Sequence, residues 1–133
     1  MTHPSLGLPP RSLQVGFPDG AARLRTERGR LAAYFNLGSD LAGWRRWLAG
    51  NGPILTRLDV DSTWDNATAT KGKLTTYKPA TTRGGHAVAF VGYTATAFIV
   101  RNSWGTSWGD GGYAYASNAY AKKAFTEAYG MAV

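Results

Sequence analysis

The stretch Gly84 to Tyr113, GGHAVAFVGYTATAFIVRNSWGTSWGDGGY, constrains this chain more than any other. Val88 to Tyr93 and Phe98 to Arg101 are apolar, β-branched or aromatic runs, and Thr94, Ala95 and Thr96 between them suit a tight hairpin connection. The pattern predicts two antiparallel strands. His86 stands at the mouth of the first and Asn102 closes the second. Directly opposed side chains on paired strands lie about 5 Å apart, so an imidazole and a carboxamide carried in this way are expected to meet.

The same residues match a known family. GGHAVAFVGY followed by FIVRNSWGTSWGDGGY closely resembles the histidine and asparagine blocks of the papain-like cysteine peptidases in order, interval and trailing WG pairs. The resemblance implies an α+β, mainly β fold over about residues 30–133: an antiparallel, barrel-like sheet with short helices, the second half of the papain-like architecture. It implies peptide-bond hydrolysis by Cys-His-Asn chemistry. In that scheme His86 is general base and acid, Asn102 orients its ring, and Trp104 shields the hydrogen bond between them. Gly85, Ala87 and Trp108 support the cleft. The chemistry is sound apart from the name: an adjacent imidazolium lowers a thiol's pKa by several units, making the thiolate available near neutral pH. An orienting group decides which ring nitrogen faces the sulfur.

Yet the chain contains no cysteine. The family's nucleophile block, a glutamine followed closely by a glycine-flanked cysteine and a tryptophan, belongs to the other, helical half of the fold. Gln14, in SLQVGF, is the sole glutamine and does not stand in that pattern. The expectation is a carboxy-terminal peptidase part that keeps base and orienter, lacks nucleophile and oxyanion donor, and is inactive alone. Its partners would be a peptide or protein substrate and a separate cysteine-bearing domain, with self-association through the uncovered interdomain face. The alternatives are a non-catalytic peptide- or protein-binding module, or a truncated gene product.

With 133 residues, 44% hydrophobic and 17% charged, the chain has the makeup of one globular domain rather than of a disordered one. No apolar run approaches the roughly 20 residues that span a bilayer. The net charge of +7 permits adhesion to polyanions, but the basic residues are not interleaved with aromatics, so neither nucleic acid nor membrane is expected as a partner. His3 and His86 are the only histidines, and without thiolates they cannot complete a metal shell. No cofactor is implied. MTHPSLGLPPRSLQ lacks the pattern of a secretory signal, and since family members are commonly secreted, lysosomal or vacuolar, the compartment stays open.

Residues 1–29, with four prolines in the first twenty, read as an irregular arm. Ala21 to Phe35 suits either a short helix or a strand. Asp40 is a good N-cap, and Leu41, Trp44, Trp47 and Leu48 share one helical face, which predicts a helix over Leu41 to Ala49 ended by Gly50, with Arg45 and Arg46 toward solvent. After the Asn51-Gly52-Pro53 turn, Ile54 to Val60 reads as a strand. GPILTRLDV resembles the family's strand before the histidine block, which implies a place for Arg57 near the pocket that selects substrate. A long cation there either favours acidic substrates or pairs with Asp59 or Asp61. Asp61 to Arg83 is polar and aperiodic, a long surface loop with a short strand at Leu74 to Tyr77. Beyond the hairpin, Tyr113 to Ala116 starts a strand, Asn118 caps a helical turn, and Glu127 to Val133 returns as a final strand.

Overall fold

The computed structural model describes residues 21–25 and 31–132. Its strands are β1 (Ala21–Arg25), β2 (Leu31–Asn36), β3 (Ile54–Asp59), β4 (Lys73–Leu74), β5 (Gly85–Tyr93), β6 (Ala97–Arg101), β7 (Tyr113–Ser117) and β8 (Phe125–Ala132). Two helices, α1 (Leu41–Gly50) and α2 (Asn118–Ala124), and two 3-10 turns, Ser62–Trp64 and Pro79–Thr81, complete the described elements. All eight strands join one sheet in the order β1-β2-β8-β3-β5-β6-β7-β4. The mainly β, α+β reading holds, but the sheet is open, ending on β1 and β4 rather than closing into a barrel.

The central hairpin forms as the sequence predicts, with β5 and β6 antiparallel and a bulge between Phe90 and Gly92. One pairing departs from the antiparallel expectation: β4 runs parallel to β7, Lys73 opposite Tyr115 and Leu74 opposite Ala116. A parallel neighbour requires a long crossover rather than a turn, and here the whole β5–β6 hairpin supplies it. The ambiguous Ala21–Phe35 stretch is a β-hairpin, β1 against β2. Of the segment read as an irregular arm, Ala21–Arg25 is therefore strand, while residues 1–20 and 26–29 lie outside the described residues.

Helix α1 begins where its cap requires. Asp40 is extended, at φ −86° and ψ 105°, and its carboxylate accepts a hydrogen bond from the Ala42 amide at 3.1 Å. The helix runs one residue past the predicted end, taking in Gly50, and Asn51 caps it by donating to the Trp47 carbonyl. Its aromatic stripe is core. Trp44 is fully buried, its ring 5.3 Å from Phe90 and 5.5 Å from Phe98, and its indole N–H donates to the Gly38 carbonyl. Trp47 packs on β8 against Gly130, where any side chain would overlap its ring. Arg45 is not solvent-directed as expected. Its guanidinium donates to the Thr94 carbonyl and to Asn118 Oδ1 and lies 4.4 Å from the Phe98 ring centre, so one cation ties α1, the hairpin turn and α2 together.

The stretch Asp61–Arg83 also departs from the expectation of a surface loop. Trp64, Ala67 and Leu74 are buried in the core, and so is the carboxylate of Asp61. Asp61 Oδ1 accepts from Tyr120 Oη at 2.6 Å and from Thr63, and Oδ2 accepts from the Lys78 amide at 2.7 Å. Such a buried charge is tolerated because its acceptor sites are filled. Helix α2 starts at Asn118 with Ser117, not Asn118, as the capping residue, its hydroxyl accepting from the Tyr120 amide.

Replacing Trp44 with Ala removes both a large core ring and the bond to Gly38, and should lower unfolding free energy by about 3–5 kcal/mol. Arg46, two positions on and exposed, makes only a long ion pair with Asp40 among the described residues. Arg46→Ala should stay within about 0.5 kcal/mol of the parent in the same urea titration.

Candidate active site

His86 and Asn102 meet, though not as directly opposed partners. The last regular pairs of the hairpin are Phe90 with Val100 and Ala89 with Arg101. Continuing that register sets Asn102 opposite Val88, so His86 reaches it along the diagonal on the same face of the sheet, a separation long side chains can bridge. His86 Nε2 lies 2.7 Å from Asn102 Oδ1.

The backbone beyond β6 fixes the carboxamide. The Asn102 amide donates to the Gly112 carbonyl at 3.1 Å, and the Ser103 amide donates to Asn102 Oδ1 at 2.8 Å. Since a backbone N–H can only donate, the atom facing it must be the oxygen, and the same oxygen faces His86. Nε2 of a neutral imidazole in this position therefore carries the proton, leaving Nδ1 as the ring's free acceptor. Asn102 is only 8% exposed, and its Nδ2 has no hydrogen-bond partner among the described residues. An orphaned buried donor costs about 1–3 kcal/mol.

The NSWGTSWGDGGY segment folds back through glycines. Gly109 and Gly112 take φ of 64° and 93°, conformations a side chain resists, and Gly112 donates to the Trp108 carbonyl while its own carbonyl receives the Asn102 amide. Trp104 stacks on the His86 ring, centres 5.1 Å apart and planes inclined by 26°, and is 41% exposed. Trp108 stacks on Trp64 at 5.1 Å and donates its indole N–H to the Trp64 carbonyl. Gly85 and Ala87 flank His86 on β5, Ala87 opposite Arg57 of β3. The Arg57 guanidinium lies over Gly85, where a Cβ would collide with it, and its one ion pair among the described residues is with exposed Asp59 at 3.6 Å. Asp61 is engaged elsewhere and is not its partner.

Trp64 is the site residue that sequence reasoning missed. Its ring presents edge-on to His86 at 6.0 Å and 86°, and to Trp104 at 5.8 Å. Its indole N–H donates to Tyr120 Oη at 2.8 Å. A lone tryptophan in an otherwise polar stretch was the available signal. Tyr120, 1% exposed, has its phenol pushed well above the ordinary value, first by burial and then by donation to Asp61, so it stays a donor throughout the neutral range. Among the described residues no cluster of histidine and carboxylate side chains could hold a metal ion, and no helix is long and apolar enough to cross a membrane.

The model of the papain family cysteine proteases matches residues 25–131. This chain belongs to the papain family of cysteine proteases. Cysteine proteinase B of Leishmania mexicana is 35% identical over 85 residues, which cover 58% of this chain and 17% of that protein. Ananain of Ananas comosus is 36% identical over 72 residues, covering 50% of this chain and 20% of its own. Among solved structures, xylellain, a cysteine protease from Xylella fastidiosa, superposes with a TM-score of 0.65 at 25% identity, over 74% of this chain and 38% of that one. The chain thus spans less than a third of these two curated relatives, and the family's cysteine is not within it.

Two outcomes follow from the site. In wild-type protein the ¹⁵N shifts of neutral His86 should report the Nε2–H tautomer, and Asn102→Ala should mix the two tautomers by removing the oxygen that selects between them. Because the folded state binds the Tyr120 proton more tightly than the unfolded chain does, the associated stability is complete below pH about 10 and falls as pH rises past it. Tyr34, Tyr77, Tyr115 and Tyr129 are shifted the same way. Tyr120→Phe should therefore flatten the alkaline decline in melting temperature without abolishing it.

Proposed function

We propose that this chain supplies the proton-handling half of a papain-type peptide hydrolase. His86 takes and returns the proton through Nδ1, Asn102 holds Nε2–H, and Trp104 keeps water from the bond between them. The observation that carries this reading is the 2.7 Å contact between His86 Nε2 and Asn102 Oδ1, with the amide's orientation dictated by the Ser103 N–H. Hydrolysis then requires a thiolate from outside these 133 residues, placed so that its sulfur faces Nδ1. No serine or threonine here stands in a nucleophile motif, and a hydroxyl ionises too weakly to replace a thiolate in an unaltered site.

A second reading, a module that binds extended peptides without cleaving them, is favoured by two facts: the chain has no cysteine, and Trp104 offers an exposed aromatic face beside the sheet. The two readings separate by mutation. Binding that is lost in Trp104→Ala and untouched in His86→Ala supports the module.

Losing a nucleophile costs several powers of ten in rate, so the purified chain should give no peptide turnover above the uncatalysed background and no labelling by an active-site thiol probe. Robust cleavage that disappears in His86→Ala would show that the chain carries a nucleophile of its own.

A further inference from the structure

The aromatic group around His86 is not free-standing, and its anchor lies on a different part of the chain. His86 is touched by two rings: Trp104 against its face and Trp64 edge-on. Trp104 is partly exposed and is braced from within by Trp64 and Trp108. Trp108 is itself stacked on Trp64 and bonded to its carbonyl. Both ring contacts to the imidazole therefore depend on where the Trp64 indole sits. The indole's one polar atom, Nε1–H, is held by Tyr120 Oη in a buried bond of 2.8 Å. That hydroxyl is in turn oriented by donating to Asp61 at 2.6 Å, and Asp61 is pinned by Thr63 and the Lys78 amide.

We propose that Tyr120, together with Asp61, is a positioning residue for His86: the phenol fixes the Trp64 indole, and that indole sets the place of both the imidazole and its Trp104 cover. With its one proton committed to Asp61, the phenol oxygen can only accept, and the Trp64 indole N–H is the shorter of the two donors it takes, the other being the Thr63 hydroxyl at 3.1 Å, so the indole is held from a fixed point. Cooperative strengthening of such a chain in a low-dielectric interior adds to its stiffness. The link couples α2, the Asp61–Arg83 stretch and the site, although Tyr120 does not touch His86. This inference rests on the reading of His86 as the proton-handling group, but its observable is the geometry of the ring, which exists whether or not a thiol is ever supplied.

The test is NMR on the full chain, following the His86 ring resonances, their cross-relaxation with the Trp64 indole, and solvent exchange of the Trp64 Nε1 proton. Tyr120→Phe retains the buried ring and loses only the hydroxyl. Trp64 Nε1–H exchange should accelerate about tenfold or more, the His86 resonances should move, and their contacts with Trp64 should weaken. Tyr77→Phe is the control. It removes a hydroxyl that bonds the Asp59 carbonyl from a ring packed edge-on against Tyr120, and should leave the His86 resonances in place. A folded Tyr120→Phe protein with lowered melting temperature but unmoved His86 resonances and contacts would overturn the proposal, since a merely structural tyrosine would behave that way. Should Tyr120→Phe fail to fold, Asp61→Asn reads the same signals with the phenol still present. There, unmoved His86 resonances alongside loosened Lys78 and Tyr120 would equally overturn it. Failure of a supplied cysteine to gain reactivity beside wild-type chain would instead count against the catalytic reading and leave these ring signals unaffected.

Discussion

A single carboxamide oxygen organises the site. Asn102 Oδ1 accepts from the amide of its own neighbour, Ser103, and from His86 Nε2, and these two donors leave it no alternative orientation. The β5–β6 hairpin carries the two residues, the bulge near Phe90 adjusts the register, and the glycine turns return Gly112 to receive the Asn102 amide. Asn102 Nδ2 is buried with no partner among the described residues.

The support beneath the site has two layers of different character. Nearest His86 is an aromatic layer of Trp104, Trp64 and Trp108, whose contacts exclude water without demanding exact angles. Behind it lies the directional layer of Asp61, Tyr120 and Thr63, where a buried carboxylate is satisfied by donors from three segments of the chain. Dispersion contacts tolerate small slips, whereas buried polar bonds fail abruptly when one member is lost. The second layer therefore gives the first its fixed position.

What could be read from the sequence was local or periodic. Asp40 and the Leu41, Trp44, Trp47, Leu48 stripe marked α1 to within a residue, because a cap and a one-sided apolar face leave short-range signatures. His86 and Asn102 stood at the ends of two strand-like runs joined by a short turn, and the blocks around them resembled a known family over a continuous stretch. Long-range dependences were illegible. Trp64 looked like one aromatic in a polar loop because its partners, Tyr120 and Trp108, are distant in sequence. Arg45 looked solvent-directed because helical periodicity assigns a cation outward, while its stem and guanidinium can cover Phe98 and still reach two oxygens. The parallel β4–β7 pair left no trace in either strand's own residues.

The most direct measurement of the central claim is the reactivity of a cysteine brought to the site from outside. A cysteine-bearing amino-terminal half of a papain-family protease, refolded with this chain, provides the sulfur, and its alkylation rate below pH 7 reports thiolate content, since an unassisted thiol has a pKa of about 8.5. The account predicts a rise of at least about tenfold when wild-type chain is added, and no rise with His86→Ala. An equal rise with both proteins, or none with either despite a stable complex, would contradict it.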